Sequence, residues 1–320
     1  MIFEKQVMEM YKGMAYTRCD DNGTAFYFSA EDFTGLHREA YRFKSSMGHD
    51  LSGYIYNYDD PREGKLVVFD HGFGGGHRSY MREIEKLCAR GFTVFAYDHT
   101  GCMESGGANP NGMAQSLCDL NDAITAIKND VRFAGMDIYV MGHSWGGFST
   151  LNISALHPEV SRVVVLSGFV SVEMLVDSYF GGIMKPYRKP IMALEKTANP
   201  RFALFNAVES LSKSKAKALL IYSDDDMMCR KNPHYDTLAA GLSGKENVKL
   251  MLVSGKGHNP NYTADAVKYL GEYVAAKAKL SKKKKLETEA QRASFVASWD
   301  WGKMTAQDDD VWEEIFAWLD

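Results

Sequence analysis

The most chemically suggestive residues of this chain form the pentapeptide Gly-His-Ser-Trp-Gly at positions 142–146, with Ser144 at its centre. An apolar run, 137–141, precedes the pentapeptide, and a helix-like stretch, 147–153, follows it. A G-x-S-x-G sequence between a buried strand and a helix is typical of a nucleophile elbow, which is a sharp and strained turn. Glycines flank the serine because side chains there would collide with neighbouring backbone. The pattern therefore predicts an exposed serine hydroxyl at a helix N-terminus.

A serine hydroxyl needs a histidine partner before it can act as a nucleophile at neutral pH. The histidine accepts the hydroxyl proton, and a carboxylate must hold that histidine in the right tautomer. Of the nine histidines, His258 alone lies in a glycine-flanked loop directly after the last apolar run, at the sheet edge expected for Ser144. Structural roles fit His71, His143 and His234 better. His258 is therefore the predicted general base.

Three consecutive aspartates, Asp224, Asp225 and Asp226, supply the candidate carboxylate. They follow the apolar run 218–222, so the loop that carries them leaves the same edge of the predicted sheet. Side-chain chemistry alone does not choose among the three. A metal site here is disfavoured because consecutive carboxylates rarely converge on one ion without other ligands. The sequence thus predicts that one member of this trio orients the histidine.

The composition is that of an ordinary globular protein and favours no macromolecular partner. The 320 residues are 45% hydrophobic and 24% charged with a net charge of −4, so no basic field draws the chain to nucleic acid or to an anionic membrane. The apolar runs are too short to span a bilayer, and the first residues lack the layout of a signal peptide. The five cysteines are widely spaced and form no C-x-x-C pair, which argues against a disulfide framework and a zinc site. We therefore expect a cytoplasmic protein.

From residue 40 onward, strand-like apolar runs alternate with amphipathic stretches, which predicts an α/β protein. The runs lie at residues 40–44, 51–56, 66–69, 93–97, 138–141, 162–166, 218–222 and 248–253. This alternation favours a mostly parallel sheet of about eight strands with helices on both faces. A short polar turn joins the first two runs, so we expect them to form an antiparallel hairpin at one edge.

The alternation stops between residues 169 and 212, where apolar residues cluster without a strand pattern. We interpret this segment as a small helical cap inserted into the sheet domain. Most of its apolar side chains are expected to hold the cap to the body, and a minority to line a substrate pocket. The predicted division is an N-terminal extension (1–39), an α/β core (40–168 and 213–276), the cap (169–212) and a C-terminal helical extension (277–320).

The C-terminal extension carries two patterns with different expected environments. Four lysines at 282–285 indicate a solvated segment, since a lysine run is usually an exposed face. Near the end of the chain, apolar residues at helical spacing predict a helix that packs back on the body. Those residues are Trp312, Ile315, Phe316 and Leu319.

These motifs resemble those of the α/β-hydrolase family, and within it the serine hydrolases that include serine aminopeptidase-like and monoacylglycerol-lipase-like enzymes. The resemblance covers roughly residues 40–275. In that family the triad follows the order serine, acid, histidine, which matches Ser144, one of the three aspartates and His258. The family's acid precedes two apolar positions. The resemblance therefore favours Asp226, which two methionines follow.

The segment 68–76, which ends in a glycine-rich stretch, looks like the family's His-Gly oxyanion loop. By that match the backbone N–H groups of Phe73 and Trp145 point at the substrate carbonyl oxygen, and each such donor is worth roughly 3 to 4 kcal/mol in the transition state. The segment lacks the Gly-Lys-Ser/Thr ending of a phosphate loop. A second turn, 98–105, is also similar to a turn of the family but departs from it at Thr100 and Met103.

The resemblance implies a serine hydrolase that cleaves a carboxylic ester through an acyl-enzyme. Ser144 would be the nucleophile, His258 the general base and Asp226 the acid that orients it. The expected partner is a small-molecule ester or acyl substrate, and the mechanism needs neither a metal nor an organic cofactor. The acyl length, the leaving group and the oligomeric state stay open.

Two other classes of function fit the same residues. A small-peptide hydrolase of the aminopeptidase kind, a thioesterase or an acyltransferase would keep the triad, whereas a binding protein would keep only the fold. An aminopeptidase needs an acidic group in the cap to hold the substrate amine. Glu173, Asp177 and Glu195 are available there, although we expect them to be solvated surface residues.

Overall fold

One mixed sheet organises the chain, and a computed structural model describes residues 3–320 of it. The strands are β1 (His37–Lys44), β2 (Asp50–Asn57), β3 (Lys65–Asp70), β4 (Thr93–Tyr97), β5 (Asp137–His143), β6 (Arg162–Leu166), β7 (Lys217–Ser223) and β8 (Val248–Val253). They pair in the order β1-β2-β4-β3-β5-β6-β7-β8. The pairs β1/β2 and β2/β4 are antiparallel, and all the others are parallel. The predicted fold class, a mostly parallel sheet with a hairpin at one edge, is confirmed.

The strands read as unbroken apolar runs because both faces of the sheet are buried. In β3, Leu66 and Val68 belong to the apolar core on one face, whereas Val67 and Phe69 belong to the core on the other. Neighbouring residues of a strand point to opposite faces, so a sheet covered on both sides needs apolar residues at every position.

Twelve α-helices lie among the described residues. They are α1 (Glu4–Ala15), α2 (Met81–Ala89), α3 (Gln115–Lys128), α4 (Trp145–Asn152), α5 (Val172–Tyr179), α6 (Arg188–Ala198), α7 (Ala207–Lys213), α8 (Asp236–Gly241), α9 (Ala264–Lys282), α10 (Glu289–Ala297), α11 (Trp301–Met304) and α12 (Asp309–Leu319). The helices α3 and α4 pack in the core on one face of the sheet, and α2 and α12 pack in the core on the other. Helices therefore cover both faces, as the alternation predicts.

The chain between β6 and β7 forms helices α5, α6 and α7 and no strand. Helix α1 packs against this segment, because the Tyr11 hydroxyl donates a hydrogen bond of 2.7 Å to Glu195 in α6. The Tyr11 ring also meets the Phe180 ring edge-on, with 6.2 Å between centroids. Helix α1 lies in the predicted N-terminal extension, and no pattern in the sequence indicates its contact with the inserted helices.

The C-terminal helices show both of the environments expected from the sequence. In α12 the side chains of Trp312, Ile315 and Leu319 are buried against the sheet, and the Trp312 indole donates to Gln307 at 2.8 Å. The lysines at 282–285 are exposed. No helix in the described part of the chain has the length and apolar character needed to cross a membrane.

A buried charge cluster lies between the ends of β3 and β4 and helix α3. The His99 ring lies 2.8 Å from an Asp70 carboxylate oxygen and 3.3 Å from one of Asp119, and all three side chains are fully buried. Burial alone would lower the pKa of His99, but the two carboxylates outweigh it and raise that pKa to about 10. The ring also lies 4.6 Å from the Trp145 ring, measured between centroids. The cluster therefore packs against Trp145, the residue that directly follows Ser144.

Replacing His99 with alanine is expected to lower the free energy of unfolding by about 3 to 5 kcal/mol, because it leaves two buried carboxylates without their cationic partner. The folded pKa of about 10 exceeds the ordinary value of 6.5. The stabilisation is therefore complete below about pH 6.5 and is lost as the pH rises through 10. Urea unfolding of both proteins near pH 7 and near pH 10 measures the difference, which should shrink at the higher pH.

The matched control for this stability prediction is His37→Ala. His37 pairs with Asp59 at 2.9 Å on the surface, where its side chain is 58% exposed. Exposed pairs contribute less than about 1 kcal/mol. A loss for His99→Ala no greater than that for His37→Ala would contradict a stabilising role for the buried cluster.

Candidate active site

Ser144 stands between β5 and α4 in a backbone conformation that residues other than glycine rarely adopt, with φ 55° and ψ −107°. Close packing explains the glycines on either side. A Cβ atom at Gly142 would lie 2.4 Å from the carbonyl oxygen of Gly146, and a Cβ atom at Gly146 would lie 2.1 Å from that of Asp70. The turn thus combines backbone strain at the serine with space for glycine alone at its flanks, which is the geometry of a nucleophile elbow.

Among the candidate acids, Asp226 is the one that contacts His258. His258 donates its Nδ1 hydrogen to Asp226 Oδ2 at 2.8 Å, and the other carboxylate oxygen accepts the N–H groups of Met228 and Cys229. Burial would raise the pKa of the Asp226 carboxyl, but these donors outweigh it and lower that pKa below its ordinary value. The carboxylate side chain is fully buried and the imidazole is 22% exposed. A buried carboxylate therefore faces an imidazole that remains partly open to solvent.

The two other aspartates of the trio brace the loop that carries His258. Asp224 accepts hydrogen bonds from the Ser254 hydroxyl at 2.7 Å and from the backbone N–H of Gly255 at 3.1 Å. Asp225 accepts the backbone N–H of Gly257 at 2.8 Å. Asp226 therefore bonds the imidazole of His258, whereas Asp224 and Asp225 bond the loop that carries it.

His143, which directly precedes Ser144, connects the histidine loop with the glycine-rich loop. Its Nε2 lies 2.7 Å from the carbonyl oxygen of His258, so that nitrogen must carry the hydrogen. Its Nδ1 then accepts the Tyr80 hydroxyl at 2.7 Å, and that hydroxyl accepts the N–H of Gly72 at 3.0 Å. Burial lowers the pKa of His143 to about 3, so its ring stays neutral near pH 7. A structural role for His143 could be predicted from the sequence, but no pattern in the sequence indicates its hydrogen-bond partners.

The hydrogen bond from His143 to the carbonyl oxygen of His258 places His258 beside Ser144. The ring centroids of His143 and His258 are 4.7 Å apart. The hydroxyl of Ser144 makes no hydrogen bond to His258 within residues 3–320. Hydrogen bonds between a nucleophile and its base are often long in enzymes without substrate and tighten when the substrate binds.

Phe73 and Trp145 lie side by side, with their rings edge to face and 5.0 Å between centroids. The backbone N–H of neither residue has an acceptor among the described residues. Trp145 is the first residue of α4, where backbone N–H groups lack partners within the helix. The Trp145 indole donates to the carbonyl oxygen of Met113 at 2.7 Å, which holds its ring in place. These two free N–H groups are suited to binding an oxyanion.

The turn that departs from the family pattern makes its own local contacts. The backbone N–H and the hydroxyl of Thr100 both donate to Asp119, at 2.7 and 2.8 Å. Met103 adopts a positive φ of 41°, and its N–H donates to the carbonyl oxygen of Cys19 at 2.9 Å. The departures thus occur where this chain ties the turn to α3 and to the segment after α1.

A cavity of about 90 Å³ opens at Ser144, and its wall is almost entirely apolar. Its lining residues are Met14, Phe73, Met113, Ser144, Trp145, Phe169, Leu175, Tyr179, Met228 and Cys229. The inserted helices contribute Leu175 and Tyr179. A larger groove of about 690 Å³ lies elsewhere, between residues 21–26 and the C-terminal helices, and does not include Ser144. Met14 and Met113 lie outside the predicted cap, so their place in the cavity wall could not be predicted from the sequence.

Protein donors already occupy the one group of possible metal ligands among the described residues. Cys118, Asp119 and Asp122 have ligand atoms within 4.8 Å of one another. Asp119 accepts hydrogen bonds from Thr100, and Asp122 accepts the backbone N–H and the hydroxyl of Ser46. The group is therefore best explained as part of the hydrogen-bonded network around α3.

Comparison of the sequence with curated proteins gives partial matches. The monoacylglycerol lipase of Mycolicibacterium smegmatis is 32% identical over 114 residues, which is 34% of this chain and 38% of that protein. The uncharacterized protein YqkD of Bacillus subtilis is 25% identical over 138 residues, which is 43% of each. The chain therefore spans about two fifths of the length of the curated relatives that it matches.

Solved structures match a larger part of the chain than the curated sequences do. An esterase of Pyrococcus furiosus superposes with a TM-score of 0.59 over 86% of this chain and 97% of that one, at 18% identity. At this identity the likeness shows the fold. The family model of the S33 serine aminopeptidases matches residues 61–251, which is more than half of the chain. The resemblance seen in the motifs is thereby confirmed, and the chain belongs to the S33 serine aminopeptidase family within the α/β-hydrolase superfamily.

Proposed function

We propose that this chain is a serine hydrolase that cleaves a carboxylic ester through an acyl-enzyme. Ser144 attacks the ester carbonyl while His258 takes its proton, and Asp226 stabilises the imidazolium. The N–H groups of Phe73 and Trp145 hold the oxyanion of the tetrahedral intermediate. His258 gives its proton to the leaving alcohol, and it then activates a water molecule that releases the acid.

The observation that carries this proposal is the buried Asp226–His258 pair beside the strained serine. The carboxylate fixes the hydrogen of His258 on Nδ1, which leaves Nε2 free to accept a proton. The His143 contact holds that imidazole next to the elbow. A binding protein has no physical need for a strained serine, an oriented imidazole and two free N–H groups at one place.

The wall of the cavity supports an ester rather than a peptide with a free amine. Glu195 is fully buried and hydrogen-bonded, so its interpretation as a solvated surface residue is wrong. Asp177 pairs with Arg188 at 3.2 Å, and Glu173 is exposed. None of these three acids lines the cavity at Ser144. Substrate amines would thus find no carboxylate there, whereas an apolar acyl group fits the wall.

The size of the cavity supports a short acyl group. An apolar cavity of about 150 Å³ binds benzene, which has six heavy atoms, so a space of about 90 Å³ holds roughly three or four heavy atoms. We expect kcat/KM for p-nitrophenyl esters to be highest between acetyl and butyryl and to fall at least about tenfold by octanoyl. The measurement is initial rates over the series from acetyl to palmitoyl at neutral pH.

Three outcomes of this series differ in meaning. A maximum among short esters supports the proposal. A maximum at palmitoyl would contradict the expected short acyl group but would still support an esterase. No hydrolysis of any ester by folded protein would overturn the ester proposal, and the same protein would then be assayed on thioesters and small peptides.

A further inference from the structure

The carboxylate of Glu195 joins three separate segments of the chain. One oxygen accepts the hydroxyls of Tyr11 and Tyr16 at 2.7 and 3.1 Å, and the other accepts the backbone N–H of Met113 at 2.8 Å. The surroundings are tight, since a Cβ atom at Gly112 would lie 2.7 Å from both carboxylate oxygens. Glu195 therefore fastens α6 to α1 and to the loop before α3.

Two of those segments supply walls of the cavity at Ser144. Met113 lines the cavity, and its carbonyl oxygen accepts the Trp145 indole. Met14 lines the cavity as well, and in the sequence it lies between Tyr11 and Tyr16, the two tyrosines that donate to Glu195. The Met14 residue is 50% exposed, so it lies at the border of the cavity rather than in the core. One buried carboxylate thus bonds both of the segments that carry these methionines.

We propose that Met14 sets the length of the acyl chain that the cavity accepts, and that Glu195 is the positioning residue that holds the helix carrying it. The inference rests on the proposed function, because an acyl chain must enter this cavity. Methionine is unbranched and fills irregular gaps, so its truncation lengthens an apolar cavity without adding a polar group. The wall belongs to α1, which lies outside the matched region 61–251.

The test compares kcat/KM for p-nitrophenyl octanoate and acetate. Met14→Ala should raise the octanoate-to-acetate ratio at least about tenfold, and Met14→Trp should lower it by a similar factor, because a single methylene in an apolar pocket changes selectivity by at least that much. Met10→Ala is the matched control, since Met10 lies one turn earlier in α1, is 57% exposed and does not line the cavity. Equal ratios for Met14→Ala and Met10→Ala would overturn the inference.

The role of Glu195 is tested by a pair of variants. Glu195→Ala should raise the octanoate-to-acetate ratio of kcat/KM in the same direction as Met14→Ala, mainly through a lower KM for octanoate, because α1 loses its anchor and the wall is no longer held in place. Glu195→Gln retains the shape and an acceptor, so it should restore most of the selectivity. A variant that loses kcat for both esters in proportion would show a general structural role and overturn the positioning role.

A binding measurement separates failure of this inference from failure of the proposed function. Titration calorimetry with butyrate and octanoate measures the affinity of the cavity for a short and a longer acyl chain without any hydrolysis. A shift of about tenfold in their relative affinities in Met14→Ala, with no ester hydrolysis by the parent chain, would reject the proposed function and keep the wall. Ester hydrolysis with unchanged ratios in both assays would keep the function and reject the wall.

Discussion

Ser144→Ala is expected to lower kcat/KM for p-nitrophenyl butyrate by about 10⁴-fold or more. Alanine removes the hydroxyl that we propose as the nucleophile, and the proposed oxyanion donors alone leave only a small residual rate. The φ of 55° at this position strains alanine no more than serine, because both carry a Cβ atom, so the fold should survive. Initial rates with the purified variant, together with its thermal unfolding, measure both effects.

Two observations accompany this expected loss. An alkyl fluorophosphonate should phosphonylate the Ser144 hydroxyl with release of HF, so the peptide that contains Ser144 gains the mass of the reagent less HF in the parent chain, and no peptide of the variant does. Ser212→Ala is the matched control, because Ser212 is exposed on α7 and lies away from the cavity. Activity within tenfold of the parent in a folded Ser144→Ala protein would exclude Ser144 as the nucleophile.

Asp226→Asn is expected to lower kcat for the same ester by about 10³- to 10⁴-fold. The carboxylate accepts the Nδ1 hydrogen of His258 at 2.8 Å, which leaves Nε2 without a hydrogen. An asparagine can turn its NH₂ group toward the ring and stabilise the other tautomer, in which Nε2 carries the hydrogen and cannot accept one. The loss therefore concerns kcat, while substrate binding changes little.

The neighbouring aspartates make this prediction specific. Asp224→Asn and Asp225→Asn should each cost less than about tenfold in kcat, because both side chains bond the loop and not the imidazole. All three changes remove one negative charge from the same turn, so they share any general electrostatic effect. Similar losses in all three variants would argue that the charge of the turn matters and that Asp226 has no separate role.

The sheet could be predicted from the sequence because burial on both faces leaves a continuous apolar run. Such runs identify β5 and β7 within two residues at each end. The prediction is least accurate for β1, which begins at His37, three residues before the predicted start. The first three residues of β1, 37–39, are exposed and polar, so they carry no apolar signal and only the pairing with β2 keeps them in the sheet.

The candidate site was partly visible in the sequence. Ser144 and His258 stand in glycine-rich turns directly after apolar strands, and such turns can be recognised from a few neighbouring residues. The choice among the aspartates needed the family resemblance, because three equal carboxylates in a row have equal chemistry. Their division between an imidazole and a backbone loop depends on the path of the loop at 254–259, which no pattern in the sequence describes.

Local order therefore determined the strands, most of the helices and the elbow, because each depends on residues only a few positions apart. Partner choice between distant residues was decided by the tertiary structure. His143 meets a tyrosine 63 positions away, and Glu195 meets Tyr11 across 184 positions. A buried polar group must find a hydrogen-bond partner, but the packing of separate segments selects which one it finds. For that reason the wall of the cavity, and with it the expected acyl length, emerged only from the folded chain.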